Sequence, residues 1–131
     1  MQSKIIKLPK IEDPRGNLSV IEKDIIPFAI KRTYFLYDVP SGGSRGGHAH
    51  KEQESLIVAV AGSFDVVLND GKQRKVFTLN RPYEGLYVAK GTWRELENFS
   101  SGAVSLVVSS GEYDEEDYIR DFEEFLSTYS K

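Results

Sequence analysis

The chain has 131 residues, 40% of them hydrophobic and 28% charged, which suits one domain with a hydrophobic core. A formal net charge of −3 argues against a nucleic-acid binder working through a broad basic surface, yet a few arginines suffice for a local phosphate pocket. With no cysteine there are no disulfides, thiolate metal sites or cysteine nucleophiles, and a reducing cytoplasm is the expected location. The opening residues, MQSKIIKLPKIEDPRG, lack the apolar stretch of a signal peptide. Short apolar segments then recur between Gly, Pro, Asp and Asn. They predict strands near Lys4–Leu8, Leu18–Glu22, Lys31–Asp38, Glu54–Val60, Ser63–Leu68, Lys75–Leu79, Gly85–Val88 and Ala103–Ser109. About eight short strands is the rhythm of an antiparallel barrel or sandwich. Within this series the run Leu56 to Ala61 is the longest that is nearly apolar, far too short for a membrane span. The clearest turn is Asn69-Asp70-Gly71, where Asp-Gly tolerates the positive φ of a tight hairpin. On the arm before it Phe64, Val66 and Leu68 share one face and Val67 lies on the other, so both faces are expected to be covered.

The end of the chain changes character. Tyr118, Phe122, Phe125, Leu126 and Tyr129 follow helical spacing, and Asp114 stands as an N-cap with acids just after it. A C-terminal helix over about 114–128 is predicted, docked on its own domain. No linker or repeat divides the chain, so residues 1–131 read as a single domain.

The only two histidines lie two apart in Gly46-Gly47-His48-Ala49-His50-Lys51, and in a strand that spacing puts both imidazoles on one face. With Gly42, Glu54 and Gly62 they resemble the first cupin motif. Gly85, Gly91 and Asn98 approximate the second, but Ala89 replaces its proline and Arg94 stands where its metal-binding histidine would be. A guanidinium has no lone pair to offer and repels a divalent cation, so no metal is expected. The imidazoles are then free for acid–base work, since their ordinary pKa of ~6.5 leaves both proton states accessible.

A narrower likeness follows. The segments DPRGNLSVIE, IPFAIKRTYFLYDVP, RGGHAHKEQESLIV, GLYVAKGTWRELENFS and EYDEEDYIRDFEEF resemble the sugar-nucleotide 3,4-ketoisomerases, from about Lys10 to Phe125 and in the expected order. The resemblance implies an all-β fold, a cupin-type jelly-roll antiparallel β-barrel with a short C-terminal α-helix. It implies a homodimer that needs no cofactor and moves the carbonyl of dTDP-4-keto-6-deoxyglucose from C4 to C3 through an enediolate. The product would feed 3-amino-3,6-dideoxy sugars of bacterial surface polysaccharides.

Under that resemblance His48 is the base and proton shuttle, with His50 orienting it or protonating an oxygen; the reverse assignment stays open. Tyr34 is the candidate hydroxyl donor to the enediolate. Arg15, Arg32, Arg45 and Lys51 are candidates for the diphosphate, Arg45 foremost because it sits just before the histidine pair. Glu54 is expected to position a histidine or to pair with a lysine, and Tyr87 and Trp93 to line the sugar or thymine site or to pack in the barrel core. Arg94, beside the sugar, bears on which face of C4 is protonated, with a lean toward the glucose-like product. The competing readings are a 3,5-epimerase-like enzyme, a metal-dependent cupin enzyme, and a non-catalytic module that binds sugar nucleotides.

Overall fold

A computed structural model describes residues 1–131. Its strands are β1 (Lys4–Lys7), β2 (Lys10–Ile11), β3 (Leu18–Ser19), β4 (Arg32–Leu36), β5 (Arg45–His50) and β6 (Ser55–Ala61). They continue with β7 (Phe64–Asn69), β8 (Arg74–Leu79), β9 (Glu84–Val88), β10 (Trp93–Glu97), β11 (Val104–Ser109) and β12 (Tyr118–Ile119), and the chain closes with helix α1 (Phe122–Tyr129). Two five-stranded antiparallel sheets run in the orders β1-β9-β6-β11-β4 and β12-β5-β10-β7-β8, and β2 with β3 forms a separate hairpin. Inward side chains of both sheets, Ile57, Leu86, Val88 and Val107 from one and Phe64, Val66, Leu68 and Leu96 from the other, pack as one buried cluster. The sheets therefore face each other across a shared core, the all-β jelly roll of cupin type.

The β7–β8 hairpin follows its turn chemistry. Asn69 Oδ1 accepts from the Gly71 amide at 2.7 Å and Asp70 Oδ1 from the Lys72 and Gln73 amides, while Gly71 has φ +93°. Val67 is buried, as are Val66 and Leu68, so both faces of this arm are covered.

Five strands depart from the sequence expectation. β2, β5, β10 and β12 fall outside the predicted strands, and β3 is shorter than the expected Leu18–Glu22. Gly46 and Gly47 depress strand propensity in β5, and Arg and Glu do so in β10, but neighbours on both sides supply the ladder. The C-terminal helix is also shorter than expected. Asp114 caps only a 3-10 turn over Glu115–Asp117, and α1 starts at Phe122 with Asp121 as its cap. Tyr118 lies on β12 rather than on a helix, because pairing with β5 overrides local periodicity there.

Helix α1 seats Phe125 on the outer face of the second sheet against Ala49, Trp93 and Ile119. Residues on either side of each of these, His48 and His50, Arg94, and Tyr118, must then point inward. The alternation that docks the helix also builds the site.

Candidate active site

The site is a set of cross-strand neighbours on β12, β5 and β10. Tyr118 stands opposite His50, and Arg94 stands opposite His48. Directly opposed residues on one face lie close enough for their side chains to touch. Accordingly the rings of Tyr118 and His50 are 4.4 Å apart, those of Tyr118 and His48 5.1 Å, and those of the two histidines 5.0 Å at 86°. Gly46 and Gly47, with φ of +102° and +105°, lead into His48, and the register shifts between Arg94 and Glu95. Such irregularities redirect side chains that a regular strand would place elsewhere.

These residues border a cavity of about 410 Å³, closed on the opposite sheet by Arg32, Tyr34, Leu36, Ile57 and Val107 and at its rim by Arg45, Gly46, Gly47 and Arg120. Four guanidiniums line it, from Arg32, Arg45, Arg94 and Arg120, and no carboxylate does. A pocket this cationic in a chain of net charge −3 has the charge to attract an anion.

Arg94 forms its floor. It is 2% exposed, reaches across the core to donate from Nη1 to Ser55 Oγ at 2.9 Å, and leaves Nε and Nη2 without partners. A buried guanidinium without a carboxylate partner is costly, and an anionic oxygen in the cavity relieves it. Arg32 donates to Gln53 Oε1 at 3.0 Å, which Ser109 also bonds, and it sits 5.2 Å from the centre of the Tyr34 ring. Arg120 stacks on Tyr118 at 4.2 Å and is gripped by both oxygens of Glu115.

The histidines differ. His48 lines the cavity, whereas His50 is fully buried behind it, with Nδ1 2.9 Å from Asp117 Oδ2. The Nε2 atoms of both rings have no protein partner. Burial, then the charge of Arg94, holds His48 down at about 2 and His50 at about 3. Both imidazoles are therefore neutral around pH 7 and available as bases. Burial raises Tyr34 above the usual phenol range, with Arg94 pulling the other way, so its hydroxyl stays a donor.

Of the residues selected from sequence, His48, Tyr34, Arg32, Arg45 and Arg94 meet in this cavity, with His50 directly behind. The others lie elsewhere. Arg15 is exposed and paired with Asp13, and exposed Lys51 donates to the Glu116 carbonyl. Glu54 accepts from the Tyr87 hydroxyl rather than from a histidine or lysine, and Tyr87 packs near Phe28 on the outer side of its sheet. No three His, Asp or Glu side chains converge as a metal-ligand set. Trp93 packs against Phe122 and Phe125 under α1, because the residue next to inward Arg94 must face outward. Asp117, Tyr118 and Arg120 were not selected as site residues. They sit in EYDEEDYIRDFEEF, a segment that carries the resemblance but whose apolar spacing predicts helix.

Fold and site together define a cupin-type jelly roll with two neutral imidazoles beneath a ring of guanidiniums. The model of the FdtA family, WxcM-like, C-terminal, matches residues 1–130, and the chain belongs to that family. It is 43% identical over 132 residues to a TDP-4-oxo-6-deoxy-alpha-D-glucose-3,4-oxoisomerase of Aneurinibacillus thermoaerophilus, spanning 100% of this chain and 95% of the relative. A crystal structure of a 3,4-ketoisomerase from Helicobacter canadensis superposes with a TM-score of 0.94 at 46% identity, over 98% of this chain and 97% of that one. A histidine-to-asparagine variant of the 3,4-ketoisomerase QdtA from Thermoanaerobacterium thermosaccharolyticum, in complex with TDP-4-keto-6-deoxyglucose, gives a TM-score of 0.94 at 37% identity, over 97% and 93%.

Proposed function

We propose that the chain is a 3,4-ketoisomerase acting on a TDP-linked 4-keto-6-deoxy sugar, with His48 as the base. The observation that carries this reading is His48 at the wall of a carboxylate-free cavity lined by four guanidiniums, with a second imidazole behind it. The relatives named for this activity support it.

The C4 carbonyl acidifies the hydrogen on C3. His48 takes that hydrogen as a proton, and the electron pair of the C–H bond becomes a C3–C4 double bond while the carbonyl electrons move onto O4. The enediolate is stabilised by the cation of Arg94 and the hydroxyl of Tyr34. The proton on O3 passes to O4, a proton returns to C4, and the C3 oxygen becomes the carbonyl. Hydrogen lost at one carbon is gained at the other, so the reaction is redox-neutral overall and His48 ends as it began.

Arg32, Arg45 and Arg120 line the cavity and are the cations assigned here to the diphosphate. Its negative charge offsets the cations that depress the histidines in the free site, so the imidazoles become stronger bases when substrate is bound. Arg94 on the cavity floor is the group assigned to C4 stereochemistry, with the glucose-like product as the reading. By the family likeness the enzyme is a cytoplasmic homodimer.

The test is proton NMR of TDP-4-keto-6-deoxyglucose incubated with the protein in D2O. A 3-keto product carrying deuterium at C4 is expected, and its coupling constants read the C4 configuration. His48→Asn should abolish turnover while TDP affinity stays within about fivefold, since it removes a group used mainly in the transition state. An unchanged substrate with wild-type protein, or brisk turnover by His48→Asn, defeats the assignment.

A further inference from the structure

Asp117 has no part in the proton transfers above, yet its carboxylate is 7% exposed and fully engaged. Oδ1 accepts from the Glu52 amide at 2.8 Å, and Oδ2 accepts from the Gln53 amide at 3.3 Å and meets His50 Nδ1 at 2.9 Å. Its main-chain carbonyl accepts from the Lys51 amide at 2.9 Å. Against a carboxylate that only accepts, His50 must carry its proton on Nδ1 and its lone pair on Nε2. That Nε2 is buried with no protein partner, and the ring lies 5.0 Å from His48 and 4.4 Å from Tyr118.

We propose that Asp117 is a positioning residue of the active site, fixing the His50 tautomer whose free ring edge carries a lone pair, and thereby supporting His48 in its role as base. When His48 takes the C3 proton it becomes a cation next to His50. A neighbouring ring with a lone pair on its free edge favours that cation, whereas the other tautomer would present an N–H dipole of the wrong sign. The Asp117 side chain ties β12, and with it Tyr118, to the end of β5, so chemistry and architecture meet in one carboxylate. The proposal rests on the isomerase reading for its consequence but not for its geometry.

Because the chain has only two histidines, protein labelled with 15N-histidine shows two imidazole spin systems, and His50→Asn assigns them. In ligand-free wild type His50 should be wholly the Nδ1–H tautomer. Asp117→Asn should shift it to the Nε2–H form or a mixture, and Asp117→Glu should retain Nδ1–H. Asp117→Asn should lower kcat on the order of 10- to 100-fold, the loss typical when the partner orienting a functional histidine is removed. KM and TDP affinity should change by less than about threefold, since ground-state binding is untouched. In a His50→Asn background the same change should cost less than about twofold more, because Asp117 acts through His50. An unaltered tautomer in Asp117→Asn, or a double variant losing the full product of the two single effects, overturns the proposal. Since the tautomer is read without substrate, a wild-type protein inert toward TDP-4-keto-6-deoxyglucose would count against the isomerase reading alone.

Discussion

At the residue scale the site stores free energy in groups that folding alone would not choose to bury. Arg94 and His50 are both nearly inaccessible, and Arg94 keeps two unpartnered nitrogens and His50 one. The histidines carry a measurable consequence. Both are depressed in the folded chain, to about 2 for His48 and about 3 for His50, against an ordinary value near ~6.5 when unfolded. Below ~6.5 the unfolded chain takes up two protons that the native chain refuses, so their contribution is intact above that pH and is lost as pH falls. Urea denaturation at pH 7 and pH 5.5 should show about 2 kcal/mol less stability at the lower pH. The double variant His48→Asn, His50→Asn should show a clearly smaller drop; an equal drop would mean other groups carry the linkage. The position of Arg94 was legible in the sequence as a cation where a metal ligand was expected. Its partnerless burial was not, because that depends on Ser55 across the core.

At the element scale the decisive unit is β5 between β12 and β10, with α1 covering its back. From His48 onward, period-two alternation divides these strands into an inward chemical row and an outward apolar row. That alternation explains why Trp93 belongs to the helix seat although it neighbours a cavity residue. Gly71 shows how closely the helix end lies against the β7–β8 turn, since a Cβ there would collide with the Tyr129 carbonyl oxygen. Phe125 is fully buried in this seat, and Phe125→Ala should destabilise the protein by about 3–5 kcal/mol. Trp93 is the only tryptophan and is 4% exposed, so its emission should shift red as the helix loosens. Emission and stability both unchanged would show that α1 is not what shields it. The helical spacing of Phe122, Phe125, Leu126 and Tyr129 was readable, but its upstream limit was not, because Asp117 and Tyr118 answer to β5.

At the scale of the whole molecule, charge and apolar surface are unevenly spread. The cavity concentrates four guanidiniums in an otherwise acidic chain, which draws a polyanionic sugar nucleotide toward it. Outside it, Phe35 and Tyr37 project from and just beyond edge strand β4, 58% and 61% exposed, and Ile11 and Leu18 of the β2–β3 hairpin are 57% and 55% exposed. Large apolar side chains left open in this way suit the proposed homodimer. Sedimentation equilibrium should return twice the chain mass of 14.8 kDa at micromolar concentration; a single-chain mass would contradict the dimer.

The amino-acid order alone pointed to an all-β chain with a terminal helix and set His48 and His50 side by side on one strand face, and its likeness to the cupin motifs marked Arg94 as standing in a ligand position. The first two are properties of local pattern and residue type, which period and composition carry directly. Only the tertiary structure decided which side chains share the cavity. It separated Trp93, Tyr87, Glu54, Lys51 and Arg15 from it and brought in Tyr118, Arg120 and, behind His50, Asp117. The physical reason is strand pairing over long sequence separations: the partners of β5 lie about 45 and 70 residues further along the chain, and register between distant strands is not written in either one alone.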